Sequence, residues 1–153
     1  MSDNVYLGNP NLKKANTPIE FTEENVIEFV KCKNDPVYFA KKYIKIVSLD
    51  EGLVPFNMYD FQEKLIDRFH KNRFNICKMP RQTGKSTTCI SYLLHYAVFN
   101  DNVNIAVLAN KASTARDLLG RLQLAYENLP TWMQQGIISW NKGSLELENG
   151  SKI

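Results

Sequence analysis

An α/β architecture, a mainly parallel sheet flanked by helices with a helical segment ahead of it, is what three observations in the sequence predict. Residues 73–88, RFNICKMPRQTGKSTT, run from a short apolar strand (Phe74, Ile76, Cys77, Met79) through a loop into Gly84-Lys85-Ser86 at the head of a helix. That order is the one a phosphate-binding loop requires. Residues 103–109, VNIAVLA, form a near-continuous apolar run, as expected of a parallel strand covered on both faces. Between the two, apolar pairs recur at helical spacing, so the predicted order is strand, helix, strand, a right-handed crossover.

Ahead of that unit, residues 1–20 hold Gly8, Pro10 and Pro18 among several Asn and Lys and show no sustained period. They read as an arm lying on the domain surface or on a neighbour. Residues 21–57 form a helical lead-in. Thr22, followed by Glu23 and Glu24, starts one helix, with Val26, Phe29 and Val30 on its apolar side. Asp35-Pro36 starts a second, a capping residue followed by proline at the first helical position. It carries Tyr38, Phe39, Tyr43 and Ile44, whose helical spacing favours core packing over a base-stacking platform. Residues 49–57 read as a connector with Gly52 and Pro55.

The core, residues 58–153, opens with a helix over 58–71 whose Phe61, Leu65 and Phe69 share a face at i, i+4 and i+8. After the loop, the helix from Lys85 to about Phe99 buries Cys89/Ile90, Leu93/Leu94 and Ala97/Val98. His95 lies beside that stripe, and with no second histidine at ligand spacing it is a packing or surface residue. Residues 110–128 then give a long helix with Ala115, Leu118, Leu119, Leu122 and Tyr126 inward and Arg116, Asp117 and Arg121 outward. Residues 137–140 and 144–148 alternate as strands. Asn149-Gly150 is a hairpin turn signal, with 151–153 as the start of a returning strand.

Composition bounds the function. A chain of 153 residues, 44% apolar and 23% charged, holds one ordinary globular domain or part of a larger one. The first residues lack a signal peptide's apolar core, and no apolar run is long enough for a membrane span. The expectation is a cytoplasmic protein. Three cysteines, Cys32, Cys77 and Cys89, lack metal or redox spacing and suit a reducing compartment. A net charge of +3 is too small to argue nucleic-acid binding from electrostatics.

The loop carries the chemistry. Gly84 lets backbone approach a phosphate, and the amides of Gln82, Thr83, Gly84, Lys85, Ser86 and Thr87 aim N–H groups at it, helped by the helix dipole. Lys85 reaches the β- and γ-phosphates as a point charge, and the Ser86 hydroxyl sits on Mg2+. ATP and Mg2+ are the cofactors this implies. The first glycine of the common G-x-x-x-x-G-K-[ST] pattern is replaced by Met79. Arg81 is either a solvated or ion-paired loop charge, or a guanidinium that stabilises charge developing on the γ-phosphate. Gln62, ahead of the loop, offers the donor and acceptor that an adenine N6/N7 edge asks for.

The arginine-bearing loop PRQTGKS, with LGNPNLKKAN, NDPVYFAKKY, YDFQ and the tail ENLPTWMQQGIISWNKGSLELENGS, resembles the large terminase subunits of T4-like tailed bacteriophages, across nearly the whole chain. The resemblance implies a RecA-like P-loop NTPase domain of the ASCE type, in a motor that drives double-stranded DNA into the procapsid. It implies adenine recognition by Gln62, hydrolysis aided by Arg81, and contact with the portal protein, the small terminase subunit and other copies in a ring. In helicase-like relatives the loop after the second strand touches nucleic acid, so Lys111, Ser113 and Thr114 are candidates for that contact or for a plain helix cap. The setting implied is host cytoplasm, at the portal.

A hydrolysing ATPase of this kind also needs an apolar strand ending in acid to hold Mg2+, and a carboxylate to activate water. After the loop the acids are Asp101, Asp117, Glu127, Glu146 and Glu148, and none ends such a strand. The expectation is therefore an N-terminal portion that stops before the Walker B strand, lacks the nuclease domain, leaves its last strand unpaired and has negligible turnover alone. Two rivals stand beside the motor: a superfamily 2 helicase fragment, and a non-hydrolysing nucleotide-binding or assembly module.

Overall fold

The computed structural model describes residues 4–48 and 50–153; Leu49, the first residue of the expected connector, and residues 1–3 of the arm lie outside the described residues. Two short strands, β1 (Val5–Tyr6) and β2 (Asn9–Lys13), pair antiparallel, so the arm has structure of its own. Leu12 of β2 is buried. The arm is held by Gln134, whose Oε1 accepts the Lys13 N–H at 3.0 Å while its Nε2 donates to the Asn11 carbonyl at 2.9 Å. Ala15 N–H donates to the Ile137 carbonyl at 3.2 Å. The arm therefore lies on this domain.

Helix α1 (Glu23–Asn34) starts where Thr22 accepts the Asn25 N–H, and α2 (Pro36–Tyr43) where Asp35 accepts the Tyr38 N–H. Both caps satisfy an amide that the first helical turn leaves unpartnered. The inward face of α1 is the expected one only at Phe29, which packs on Phe99. Val26 and Val30 are half exposed, whereas Cys32 is fully buried. Beside it, Glu28 accepts from Lys42 Nζ at 2.8 Å, Tyr43 Oη at 2.9 Å and Tyr38 Oη at 3.0 Å. The Lys42 bond first, joined by those from Tyr43 and Tyr38, pulls the Glu28 carboxyl down to about 2 against the opposing effect of burial. Burial first, and Glu28 second, push the Cys32 thiol up to about 12, so it stays protonated and inert.

The expected connector folds instead as a hairpin of β3 (Lys45–Ser48) and β4 (Gly52–Pro55). Gly52 (φ +73) takes the left-handed position that its return needs. Helix α3 (Asp60–Lys71) starts two residues later than expected, with the Gln62 side chain accepting the N–H of the N-cap Tyr59. Its buried side chains are Gln62 and Ile66, with Phe61 at 42% exposure. The inward face is thus turned one residue from the Phe61/Leu65/Phe69 stripe, because capping draws Gln62 inside.

Helix α4 (Lys85–Phe99) has the expected bounds and is the centre of the core. His95, Phe39, Phe99 and Phe29 form a chain of edge and tilted aromatic contacts with centroids 4.9–5.4 Å apart. His95 is a packing residue: its Nε2 lies 2.9 Å from the Cys32 carbonyl. Burial chiefly, with His70 adding to it, lowers its pKa to about 4. Helix α5 (Ala112–Glu127) packs along α4 through Leu119, Leu122 and Tyr126. Strands β5 (Ile137–Trp140) and β6 (Leu145–Leu147) form where strands were expected and pair antiparallel.

The mainly parallel sheet does not form. Sheet structure among the described residues consists of three two-stranded antiparallel hairpins beside five helices, not a parallel-sheet nucleotide-hydrolase core. Residues 74–80 form no strand and enter no ladder. Residues 103–109 touch a neighbour through a single parallel bridge, Asn104 to Lys152. No crossover sheet therefore joins them. The cause is coverage. Apolar composition predicts an extended chain but not a partner for its backbone. Here Phe74 (84% exposed), Ile76 (100%) and Leu108 (87%) face solvent, while Cys77, Met79, Ile105 and Val107 are half-buried.

The returning segment, in contrast, is paired. Ile153 and Leu145 exchange both backbone hydrogen bonds at 2.9 Å, and Lys152 N–H donates to the Val103 carbonyl at 2.8 Å. The last residues thus sit between β6 and residue 104, contrary to the expectation of an unmatched strand. No helix among the described residues is long and apolar enough to cross a membrane.

Candidate phosphate-binding site

Gly84 is the N-cap of α4 with φ 74 and ψ 10, and no side chain caps that helix end. The amides of its first turn are consequently left for a ligand or water. Gln82, two residues earlier, is also left-handed (φ 61). That conformation is uncommon for a residue with a Cβ. Alternation of left-handed and ordinary residues turns successive N–H groups toward one side, which makes an anion-binding concavity. The loop is tied down from within, since Thr83 Oγ1 donates to the Pro80 carbonyl at 3.1 Å and Thr88 Oγ1 to the Gly84 carbonyl at 3.0 Å.

The hollow enclosed by this loop is about 410 Å³, lined by residues 80–87 and by Arg121 of α5. Its size falls within the roughly 300–1,000 Å³ of small-ligand sites. Of the residues predicted from sequence, the structure brings Arg81, Gln82, Thr83, Gly84, Lys85, Ser86 and Thr87 to its wall. Arg81, Gln82 and Ser86 are exposed; Thr83, Gly84, Lys85 and Thr87 are half-buried. The exposed Ser86 hydroxyl fits Mg2+, which takes few protein ligands and completes its shell with phosphate oxygens and waters. When bound, the ion would neutralise charge on the phosphates.

Gln62 is placed differently. It is 3% exposed and absent from the wall of the hollow. Its Oε1 accepts the Tyr59 N–H at 2.9 Å, and its Nε2 donates to the Thr83 carbonyl at 3.4 Å. It props the loop from below, and Nε2 stands where a Cβ on Gly84 would fall, only 2.4 Å away. An adenine edge at Gln62 would compete with both of those bonds.

Lys111 is the N-cap of α5 and no side chain caps that end, so the helix-cap role is unfilled there; Lys111, Ser113 and Thr114 are all exposed. Sequence reasoning missed Arg121, which it set among outward residues. The signal available was its place beside Leu122 and three residues before Leu124, at the border of the packed stripe. Among the described residues no group of three His, Cys, Asp or Glu is arranged to hold a metal ion. No family model matches the sequence.

Proposed function

We propose that the hollow of residues 80–87 binds the polyphosphate of ATP, with Lys85 on the β- and γ-phosphates, Ser86 on Mg2+ and Arg81 beside the γ-phosphate. We also propose that the chain serves the ATP-driven packaging of double-stranded DNA as part of a large terminase. The observation that carries the site is the uncapped start of α4 with Gly84 left-handed. Free helix amides, an adjacent lysine and the loop arginine together favour an anion. The packaging role, with the portal protein, the small terminase subunit and DNA as partners, rests on the sequence resemblance.

One observation favours a second reading for this chain by itself, that of a non-hydrolysing nucleotide-binding or assembly module. The wall of the hollow supplies cations, hydroxyls and amides but no carboxylate, so it holds phosphate without activating a water. Titration calorimetry with Mg-ATP tests the shared core of both. The chain is expected to bind, and Lys85→Ala to lose most of that affinity. Equal binding by the variant would remove the assignment.

A further inference from the structure

We infer that Arg121 of α5 belongs to the phosphate site, as a cation that closes the side of the hollow opposite the loop backbone; the inference rests on the polyphosphate reading of that hollow. Every other residue lining the hollow comes from the continuous run 80–87, and Arg121 alone comes from a different helix. It also lines a second, mostly apolar cavity of about 420 Å³ together with Thr87, Ile90, Ser91 and Leu124. Thr87 and Arg121 are the residues common to both, so Arg121 stands on the partition between them.

Its chemistry suits that place. Arg121 is exposed and pairs with no carboxylate in the ion pairs seen among the described residues, which join Lys41 to Glu63, Lys42 to Glu28, Lys71 to Asp67 and Lys152 to Glu146. The head group is therefore uncommitted. A guanidinium presents a planar fork of donors that matches phosphate oxygens in a bidentate way. An arginine on such a partition can lay its apolar stem on the second cavity and keep its charge at the polar side. The second cavity has one further unspent group on its wall, the buried Ser91 hydroxyl, which has no hydrogen-bond partner among the described residues. Because α5 carries Arg121 and α4 carries Lys85, a polyphosphate held by both cations ties the two helices together.

The test is titration of the 153-residue chain with inorganic tripolyphosphate and, separately, with Mg-ATP. Arg121→Met keeps the apolar stem and removes the charge; Arg121→Lys keeps the charge and removes the fork. Arg121→Met is expected to weaken tripolyphosphate and Mg-ATP by the same factor of about ten, and to flatten the salt dependence of binding. Arg121→Lys is expected to recover part of the loss, with melting temperatures unchanged. Unchanged affinity in Arg121→Met, with Lys85→Ala losing binding, overturns the role of Arg121 while leaving the phosphate site intact. Failure of the unmodified chain to bind either probe overturns both.

Discussion

Replacing Gly84 with alanine perturbs the loop in two separable ways. An L-residue held at φ 74 pays about 1–2 kcal/mol for the left-handed conformation. The new Cβ would also fall 2.4 Å from Gln62 Nε2, a contact no pair of heavy atoms keeps. Gln62 is the end of a flexible side chain, yet it is buried and held by Tyr59 N–H and the Thr83 carbonyl. Moving it aside forfeits those bonds, about 1 kcal/mol each. The total is about 3–4 kcal/mol, out of a stability of about 5–15 kcal/mol for an ordinary domain. Urea unfolding followed by circular dichroism measures it. In a Gln62→Ala background the collision is gone and only the conformational part remains, so Gly84→Ala should there cost about 1–2 kcal/mol. The double-mutant cycle then yields a coupling of about 2 kcal/mol, the two forfeited bonds. Equal costs in both backgrounds would refute the idea that Gln62 props the loop from beneath Gly84.

Lys85→Ala should abolish the melting-temperature rise that Mg-ATP gives the unmodified chain, read by scanning fluorimetry, with the apo melting temperature little changed. Gln134→Ala should cost about 2–4 kcal/mol, because the buried Lys13 N–H and the carbonyls of Asn11 and Leu129 lose their partner; faster amide exchange at residues 9–15 should accompany it. Stability should also fall with acid in two windows. His95 has a folded pKa near 4, below its ordinary 6.5, so the unfolded chain binds the extra proton and stability is lost as pH drops between those values, by about 3 kcal/mol at most. His95→Phe should flatten that window in urea titrations. Glu28, held near 2 against an ordinary 4.5, contributes stability that is present above 4.5 and lost as pH falls toward 2. Glu28→Gln should flatten that lower window and leave the upper one alone.

The parts legible in the sequence were those decided within a few residues. Thr22, Asp35-Pro36 and Gly84 announce helix starts because a cap or a left-handed turn is a local event, and Asn149-Gly150 announces its return for the same reason. The phosphate-loop residues fell together for that reason too, being contiguous. Illegible were the features set by distant contacts. The apolar run of residues 103–109 predicts a strand but cannot say whether a neighbour pairs with it, and the parallel sheet was inferred from that run. The one-residue rotation of α3 arises because Gln62 is drawn under the loop to serve Tyr59 and Thr83. Arg121 reaches the hollow only through the packing of α5 on α4, so its role could not be read from its own helix.

Phe74, Ile76 and Leu108 lie bare on two segments that join no sheet, and that sets a limit on how concentrated the protein can be kept. Such a segment is a template for another strand. The neighbouring residues act against this: Arg73 lies with its guanidinium 5.2 Å from the Phe74 ring, and Lys78 and Arg81 add charge on the same stretch. Like-charged chains repel at these positions, as gatekeeper residues do. Raising the salt concentration screens that repulsion while leaving the apolar side chains uncovered, so the protein should keep longest in dilute, low-salt solution and lose solubility first where its charges are masked.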